Sequence, residues 1–419
     1  MSIGNATVAT QAPSACRMCG ERRLMVVFSL GKTPLANALL TQEELHQPES
    51  IYPLDLAFCP QCTLVQITET VPPEKLFREY LYFSSFSETR LKHAQELVEQ
   101  TLRARPLDKG SLVVEVASND GYLLQYFKQA GVPVLGIEPA VNVARVAQER
   151  GIPTLCEFFG EKLAQELRGQ NRCVDVLIAN NVLAHVADLN GFVEGIRILL
   201  KETGVAIIEV PYVREMIARR EFDTIYHEHL CYYSVTSLDH LFKKHRLLLQ
   251  KVEMLEIHGG SLRLFVVPDS SDAIPAKSVQ QLLRSESASG MDRAEFYSQF
   301  SSEVGQLRDS IRRLTSNLKA QGKRIAAYGA SAKGSIFTNY IGLGRETLDF
   351  VVDRSNYKQG RFMPGTHLPI LPPERLLEEM PDYCLVLTWN IAQEVMEQQN
   401  AYRRRGGRMI IPIPEPTIV

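Results

Sequence analysis

The sequence predicts an α/β protein with two parallel, doubly wound sheets and a small metal-binding module ahead of them. Strand-like apolar segments alternate with helical segments from residue 111 and again from residue 324, a pattern typical of parallel sheets. Two Cys-x-x-Cys pairs precede both alternations. We therefore expect three domains, over residues 1–75, 76–270 and 271–419, which agrees with a chain of 419 residues.

The first predicted element is a zinc module. Its two Cys-x-x-Cys pairs present four thiolates at the spacing that closes a tetrahedral shell around Zn²⁺ and leaves no position for substrate. Disulfides are the alternative, but residues 1–15 have neither a basic start nor an apolar run, so a reducing cytoplasm is expected. The predicted ligands of this structural metal are Cys16, Cys19, Cys59 and Cys62.

Charge and hydropathy argue against two classes of partner. The formal net charge is −2, so no overall field attracts the chain to nucleic acid or to anionic lipid. No stretch approaches the roughly 20 apolar residues that a membrane-spanning helix needs. We predict a cytoplasmic monomer that binds neither nucleic acid nor membrane.

The first alternation forms the central domain. A helix is predicted over residues 88–104 because its apolar residues fall on one face. The domain ends with a helix near residues 237–244 and a strand at 262–267, and charged connecting helices are expected over 272–322. Its parallel strands are predicted at residues 112–116, 134–137, 174–179 and 205–210.

The turn after the first of these strands predicts a site for a cationic cofactor. A dinucleotide-binding turn has three glycines that seat a pyrophosphate on a helix N-terminus, whereas this turn has only Gly121. Glu115 and Asp120 would repel phosphate but attract the sulfonium and ammonium groups of S-adenosylmethionine (SAM). Glu138, at the end of the next strand, can accept hydrogen bonds from both ribose hydroxyls. A generic α/β turn with a capping acid is the alternative. The predicted cofactor residues are Glu115, Ala117, Asn119, Asp120, Gly121, Glu138, Pro139, Phe158, Asn180 and Asn181.

A Tyr-His-Glu-His segment at residues 226–229 is the candidate catalytic region. Histidine titrates near working pH and a neighbouring carboxylate can orient it, so the segment suits general acid–base catalysis. The alternatives are a second metal site, for which two histidines and one acid are an incomplete set, and a polar surface loop. His185, at the end of a predicted strand, is either a further polar group of the site or a capping residue.

The second alternation predicts a site for a phosphate-bearing ligand. Its strands are expected at residues 324–328, 348–352, 383–387 and 409–411. Small residues and a lysine follow the first strand and open a helix, and together they form an anion cradle. The predicted ligand-binding residues are Tyr328, Gly329, Ala330, Ser331, Lys333, Asp353, Lys358, Trp389 and Asn390.

Over nearly its whole length, the chain resembles the nucleotide-sugar C-methyltransferases. The resemblance depends on the double Cys-x-x-Cys, the turn at residues 115–121, Asn180-Asn181 with His185, the Tyr-His-Glu-His segment, His258-Gly-Gly-Ser and the Tyr-Gly-Ala-Ser at 328–331. It implies a zinc-binding N-terminal domain, a class I SAM-methyltransferase (Rossmann-like) central domain and a C-terminal Rossmann-like domain that binds the nucleotide-linked substrate.

The resemblance also implies a reaction. Members of this family act on 4-keto deoxyhexoses carried on a nucleoside diphosphate, and His229 corresponds to their catalytic base. Tyr226 and Glu228 flank that base, and the segment with Tyr80 and Tyr82 closes over the sugar. The C4 ketone acidifies the C3–H bond, so the base can form an enolate whose carbon attacks the methyl group of SAM. An O- or N-methyltransferase and a nicotinamide-dependent oxidoreductase are the alternatives, and C5 flanks the same ketone.

Overall fold

The computed structural model describes residues 15–77, 83–255, 260–270 and 272–419. Tyr80, Tyr82 and His258, which the sequence analysis singled out, lie outside the described residues.

An antiparallel sheet of four strands forms the core of the N-terminal module. Its first three strands are β1 (Met25–Pro34), β2 (Ile51–Phe58) and β3 (Val65–Ile67). Strand β1 was not predicted from the sequence, because a register shift between Ser29 and Lys32 interrupts the period-2 alternation of the strand.

Two helices lead from this module into the central domain, α1 (Pro73–Phe77) and α2 (Glu88–Ala104). The side chain of Ser87 caps α2 by accepting a hydrogen bond from the backbone N–H of Arg90. The predicted bounds of α2 therefore match the structure.

The central domain is a seven-stranded sheet with helices between its strands. Viewed across the sheet, the order is β10-β11-β8-β7-β4-β5-β6, in which β4 to β8 are parallel and β11 is antiparallel to its neighbours. The strands of this part of the chain are β4 (Val113–Val116), β5 (Val134–Ile137), β6 (Thr154–Leu155), β7 (Val174–Asn180), β8 (Leu200–Pro211), β9 (Cys231–Tyr232), β10 (Leu247–Leu255) and β11 (Ser261–Pro268). The helices are α3 (Leu124–Gln129), α4 (Val141–Glu149), α5 (Glu161–Gly169), α6 (Leu189–Leu199), α7 (Val213–Ala218) and α8 (Val235–Lys244).

Strand β9 does not join the central sheet; it pairs with β3 and completes the sheet of the N-terminal module. The sequence analysis missed β6 and β9 because two residues are too short to show any periodicity.

Two helices connect the central and C-terminal domains, α9 (Lys277–Ala288) and α10 (Ala294–Ala320), as expected for residues 272–322. Helix α10 packs on the N-terminal module, where the ring of Phe300 lies edge-on to that of Phe28 with 5.1 Å between centroids. The buried face of α10 repeats every three or four residues, at Tyr297, Phe300, Val304, Leu307 and Ile311.

The C-terminal domain is a six-stranded sheet in the order β14-β13-β12-β15-β16-β17, parallel except for β17. Its strands are β12 (Ile325–Tyr328), β13 (Val351–Val352), β14 (Ile370–Leu371), β15 (Tyr383–Val386), β16 (Arg408–Ile411) and β17 (Thr417–Ile418). Its helices are α11 (Ala332–Ile341), α12 (Arg375–Glu379), α13 (Ala392–Gln398) and α14 (Asn400–Arg404). Among the helices that the structure describes, none is both long and apolar enough to cross a bilayer.

Candidate active site

The four cysteines of the N-terminal module converge on one point. Their sulfur atoms all lie within 4.8 Å of one another, with 3.5 Å between Cys16 and Cys62 and between Cys19 and Cys59. A disulfide would need about 2.05 Å, whereas a tetrahedral shell with Zn–S bonds of about 2.3 Å separates its sulfurs by about 3.8 Å. The four residues therefore fit a structural Zn²⁺ and leave it no open position.

The turn after β4 has an unusual backbone. Ala117, Asn119 and Gly121 all have positive φ, at 54°, 50° and 78°. Left-handed residues this close together reverse the direction of the chain within a short turn at the ends of β4 and β5. At Gly121 a Cβ atom would lie 2.8 Å from Ile152 Cγ1, so the position also requires the absence of a side chain.

Buried carboxyl groups line this turn. Burial, together with the nearby charges of Glu138 and Asp120, raises the pKa of Glu115 well above its usual range. Burial also raises the pKa of Glu138, although its two oxygens accept hydrogen bonds from the backbone N–H groups of Asn119 and Ala140 at 3.0 and 2.9 Å. A site of this kind favours a cationic ligand and disfavours phosphate.

The segment before α2 lies directly on the same turn. The backbone N–H of Ser84 donates to Asn119 Oδ1 at 2.8 Å, and the hydroxyl of Ser85 donates to Asp120. Arg150 pairs with the same carboxylate of Asp120 at 2.9 Å. The sequence analysis did not find Arg150 or the serines, because they meet Asp120 only through the tertiary fold.

His229 has a defined tautomer. Its Nδ1 lies 2.9 Å from the backbone carbonyl of Thr224, which can only accept, so we assign the hydrogen of the neutral ring to Nδ1. The lone pair of Nε2 then accepts the hydroxyl of Tyr226 at 2.8 Å. The unprotonated nitrogen, which is the one that can take up a proton, therefore points toward Tyr226.

His185 lies beside this pair. The backbone N–H of Leu230 donates to the carbonyl of Ala184 at 2.7 Å, which joins the segment after β7 to the segment that contains His229. The two imidazole rings meet edge to face with 4.7 Å between centroids. Burial lowers the pKa of His185 to about 4, so its ring is neutral at working pH. Asn180 ends β7 five residues before His185, and Asn181 follows the strand. Because β7 is parallel to β4, its end lies at the same edge of the sheet as the acidic turn.

Glu228 points away from the histidine pair and contacts the N-terminal module. Its Oε1 accepts the side-chain N–H of Asn37 at 2.6 Å, and burial raises its pKa to about 7 despite that bond. Its Oε2 has no hydrogen-bond partner among the described residues. His227 also contacts this module, through a hydrogen bond of 3.0 Å from Nε2 to the carbonyl of Pro53. The two inner residues of the motif thus contact the N-terminal module, while the two outer ones, Tyr226 and His229, pair with each other.

Several residues of the predicted phosphate site in the C-terminal domain contact one another. Asp353 Oδ2 accepts the backbone N–H of Ala330 at 2.9 Å, and Lys358 donates to the carbonyl of Ala330 at 2.9 Å. Ser331 caps α11 through the N–H of Gly334. Tyr328 donates to Gln398 at 3.1 Å, Gly329 has a φ of +103° against Thr388, and Asn390 is exposed. The role of these residues in ligand binding stays a prediction.

Lys333 and Trp389, from the same predicted set, face the central domain. The indole N–H of Trp389 donates to Asp223 Oδ2 at 2.7 Å, and the ammonium of Lys333 lies 4.7 Å from the centre of the Trp389 ring. Neither Asp223 nor its neighbour Glu221 was singled out in the sequence, since an isolated acid carries no pattern. Both side chains are buried.

Comparison with known proteins gives matches along the chain. A family model described as a methyltransferase domain matches residues 88–247, one described as a C-methyltransferase C-terminal domain matches residues 256–414, and a zinc-binding domain model matches residues 16–77. The C-methyltransferase NovU of Streptomyces niveus is 36% identical over 404 residues, which cover 96% of each chain. A ubiquinone biosynthesis O-methyltransferase of Rhodopseudomonas palustris is 26% identical over 101 residues, 24% of this chain and 40% of that protein. The structure of magnesium protoporphyrin IX methyltransferase of Synechocystis, with bound SAH, covers 42% of this chain and 82% of its own at 14% identity and a TM-score of 0.34.

Proposed function

The chain belongs to the C-methyltransferase family, and from that premise we propose that it methylates C3 of a 4-keto-6-deoxyhexose carried on a nucleoside diphosphate. The prediction of a class I SAM-methyltransferase fold with SAM as cofactor is confirmed, as is the structural zinc. The choice of sugar and carbon, the cytoplasmic location and the monomeric state stay predictions.

The observation that carries the proposal is the assigned tautomer of His229. Methylation of a carbon requires removal of a C–H proton, and a neutral imidazole whose Nε2 carries no hydrogen is a suitable base. Because Nδ1 donates its hydrogen to the carbonyl of Thr224, 2.9 Å away, Nε2 carries no hydrogen and lies 2.8 Å from the hydroxyl of Tyr226. A base of this kind can also serve methylation of a hydroxyl, so the choice of carbon depends on the similarity to C-methyltransferases.

The proton transfer follows from the same contacts. His229 Nε2 takes the C3 proton, and the electrons of the C–H bond move to form an enolate with its negative charge on the C4 oxygen. Tyr226 supplies the nearest hydroxyl donor, so moving its hydrogen bond from Nε2 to that oxygen both frees the base and stabilises the charge. Loss of one such donor typically costs about 2.7–4 kcal/mol.

The acidic turn supplies the second half of the reaction. SAM, when bound, provides the electrophilic methyl group that the enolate carbon attacks. Glu138 is placed to hold the ribose, and a sulfonium bound beside Glu115 would offset the repulsion from Glu138 and Asp120 that contributes to its raised pKa. The remaining contribution is orientation, which accounts for much of the rate in reactions between two bound partners.

The test is hydrogen exchange at the substrate in deuterated water without SAM. We expect the enzyme to exchange the proton at C3, read by proton NMR of a nucleotide-linked 4-ketosugar, and His229→Ala to lose this exchange by at least about a hundredfold. Exchange at C5 alone would move the reaction to that carbon, and undiminished exchange in His229→Ala would refute the proposed base.

His227→Gln is the matched control for this experiment. The glutamine can still donate to the carbonyl of Pro53, and His227 takes no part in the Tyr226–His229 pair. We expect this variant to exchange C3 at close to the normal rate once its folded fraction is accounted for.

A further inference from the structure

The carbonyl that sets the tautomer of His229 belongs to a short 3-10 turn, Phe222–Thr224. Besides Nδ1 of His229, it accepts the hydroxyl of Tyr232 at 3.3 Å. The turn is further closed by the Thr224 hydroxyl, which donates to the carbonyl of Glu221 at 2.7 Å. The position of this carbonyl therefore depends on what holds the turn.

The C-terminal domain holds the turn on two sides. The ring of Phe222, fully buried, stacks on Phe337 with 5.7 Å between centroids and lies 5.1 Å from the ring of Tyr340, both on α11. On the other side, the indole N–H of Trp389 donates to Asp223 at 2.7 Å. The turn belongs to the central domain by sequence but is packed into the C-terminal domain.

Burying the carboxyl group of Asp223 costs desolvation free energy, which its contacts with the C-terminal domain offset. Its side chain has no exposure, and its second oxygen, Oδ1, has no hydrogen-bond partner among the described residues. Burial raises its pKa to about 6, while the charge of Lys333 and the bond from Trp389 lower it. The two compensating side chains come from the C-terminal domain, so a shift of that domain would release the carboxyl group, leaving it only its own backbone N–H.

We propose that the Trp389–Asp223 hydrogen bond positions the catalytic base, so that the C-terminal domain controls the orientation of His229 through the turn Phe222–Thr224. This inference rests on the proposed role of His229 and deepens it. Trp389 and Asp223 are positioning residues: they act through the carbonyl of Thr224 and do not touch the sugar. Trp389 and Lys333 then serve the domain contact instead of the predicted phosphate site.

The experiment compares three variants of the full-length protein. Trp389→Phe keeps an aromatic ring but removes the N–H donor, Asp223→Ala removes the acceptor, and Asp223→Asn retains an oxygen that can accept from Trp389. We expect the maximal rate of C3 exchange to fall by roughly tenfold to a hundredfold in Trp389→Phe and Asp223→Ala, with KM for the ketosugar unchanged. Asp223→Asn should retain most of the rate.

A spectroscopic readout separates positioning from general stability. In ¹⁵N-labelled protein without ligands, the imidazole of His229, assigned by its absence in His229→Gln, should show the hydrogen on Nδ1. In Trp389→Phe the population of the Nε2–H tautomer should rise. Glu415→Gln is the control, because it breaks an exposed ion pair of 3.6 Å between Arg220 and the C-terminal domain without touching the turn. We expect no change in its spectrum or exchange rate.

The outcomes separate this inference from the proposed function. If His229→Ala loses exchange but Trp389→Phe keeps both the normal rate and the normal tautomer, the proposed positioning role of Trp389 is wrong. The proposed role of His229 as the base is then unaffected. If Trp389→Phe raises KM and leaves the maximal rate unchanged, Trp389 binds substrate and the positioning role is again wrong. If His229→Ala retains exchange, the proposed base fails, and the positioning role fails with it.

Discussion

At the scale of the residue, buried carboxyl groups dominate the electrostatics of the site. Burial raises the pKa of Glu228 to about 7 and that of Glu221 to about 8, and the pKa of Glu115 lies well above the usual range. Lys333 and Arg219 oppose the shift of Glu221 without cancelling it. Such groups hold a proton in the folded protein that they would release in the unfolded chain.

Glu228→Gln tests this consequence. The folded-state pKa of Glu228 is raised, so proton binding by this side chain stabilises the folded protein. This contribution to the free energy of unfolding is complete below the unfolded-state pKa and is lost as the pH rises through about 7. The wild-type free energy of unfolding should therefore fall relative to that of Glu228→Gln between about pH 5 and 8, by roughly 1–3 kcal/mol. Urea unfolding at several pH values measures the difference, and parallel curves for the two proteins would contradict the prediction.

At the scale of the element, the turn after β4 determines what the central sheet can bind. Its three left-handed residues bring backbone and carboxyl groups together above the ends of β4 and β5. The residue at its far end, Gly121, meets Ile152, which precedes β6. The proposed cofactor site thus depends on one turn and on the strands that support it.

Gly121→Ala should weaken SAM binding. The new Cβ would approach Ile152 Cγ1 at 2.8 Å and push the turn away from β6, in addition to the left-handed cost of about 1 kcal/mol. We expect the affinity for SAM, measured by titration calorimetry, to fall by about tenfold, or about 1.4 kcal/mol.

Gly131→Ala is the matched control for this change. Gly131 has the same φ of +78°, but a Cβ atom there meets nothing within 4 Å. Both variants should lose similar stability from backbone strain, and only Gly121→Ala should lose affinity. Equal affinities for SAM in the two variants would show that the turn tolerates the displacement.

At the scale of the whole molecule, His229 lies where three domains meet. The segment that follows it pairs with β3 of the zinc module, and the N–H of Ile67 donates to the carbonyl of Leu230 at 3.0 Å. The turn that precedes it is packed into the C-terminal domain. The zinc module also reaches the C-terminal domain, where Glu49 pairs with His367 at 2.7 Å. The position of His229, the proposed base, therefore depends on the relative placement of all three domains.

Cys59→Ser tests the contribution of the zinc module. Without its fourth thiolate the site should lose its metal, and the displaced module should release Asn37 from Glu228 and β3 from β9. We expect zinc by elemental analysis to fall to near zero and C3 exchange to fall with it. SAM affinity should change little, because the acidic turn lies on β4 and β5.

Cys173→Ser is the control, since Cys173 is outside the zinc cluster. It should retain zinc, SAM binding and exchange. Full exchange by a Cys59→Ser protein without zinc would show that the module is dispensable for the base.

The parts of the fold that the sequence predicted well are those with local signals. The apolar runs of β4, β5 and β7 and the apolar face of α2 are visible within a few residues, and their predicted bounds differ little from those observed. Strand β8 begins five residues before its predicted start. Strands such as β6, β9 and β14 have only two residues each, which is too short for an alternating pattern. In β1 a register shift interrupts that pattern. The zinc ligands were predictable because each pair has a short, chemically defined spacing.

The sequence by itself determined the zinc set, the order of the two α/β domains, the acidic character of the cofactor turn and the histidine-rich segment, because each is encoded over a short stretch of chain. The tertiary structure alone decided how the proposed base, His229, is held. Asn37 and Glu228 are 191 residues apart, and Asp223 and Trp389 are 166 apart. Such contacts leave no periodic pattern in the sequence. They form only when separate domains pack together and a side chain of one domain donates a hydrogen bond to a buried carboxyl group of another.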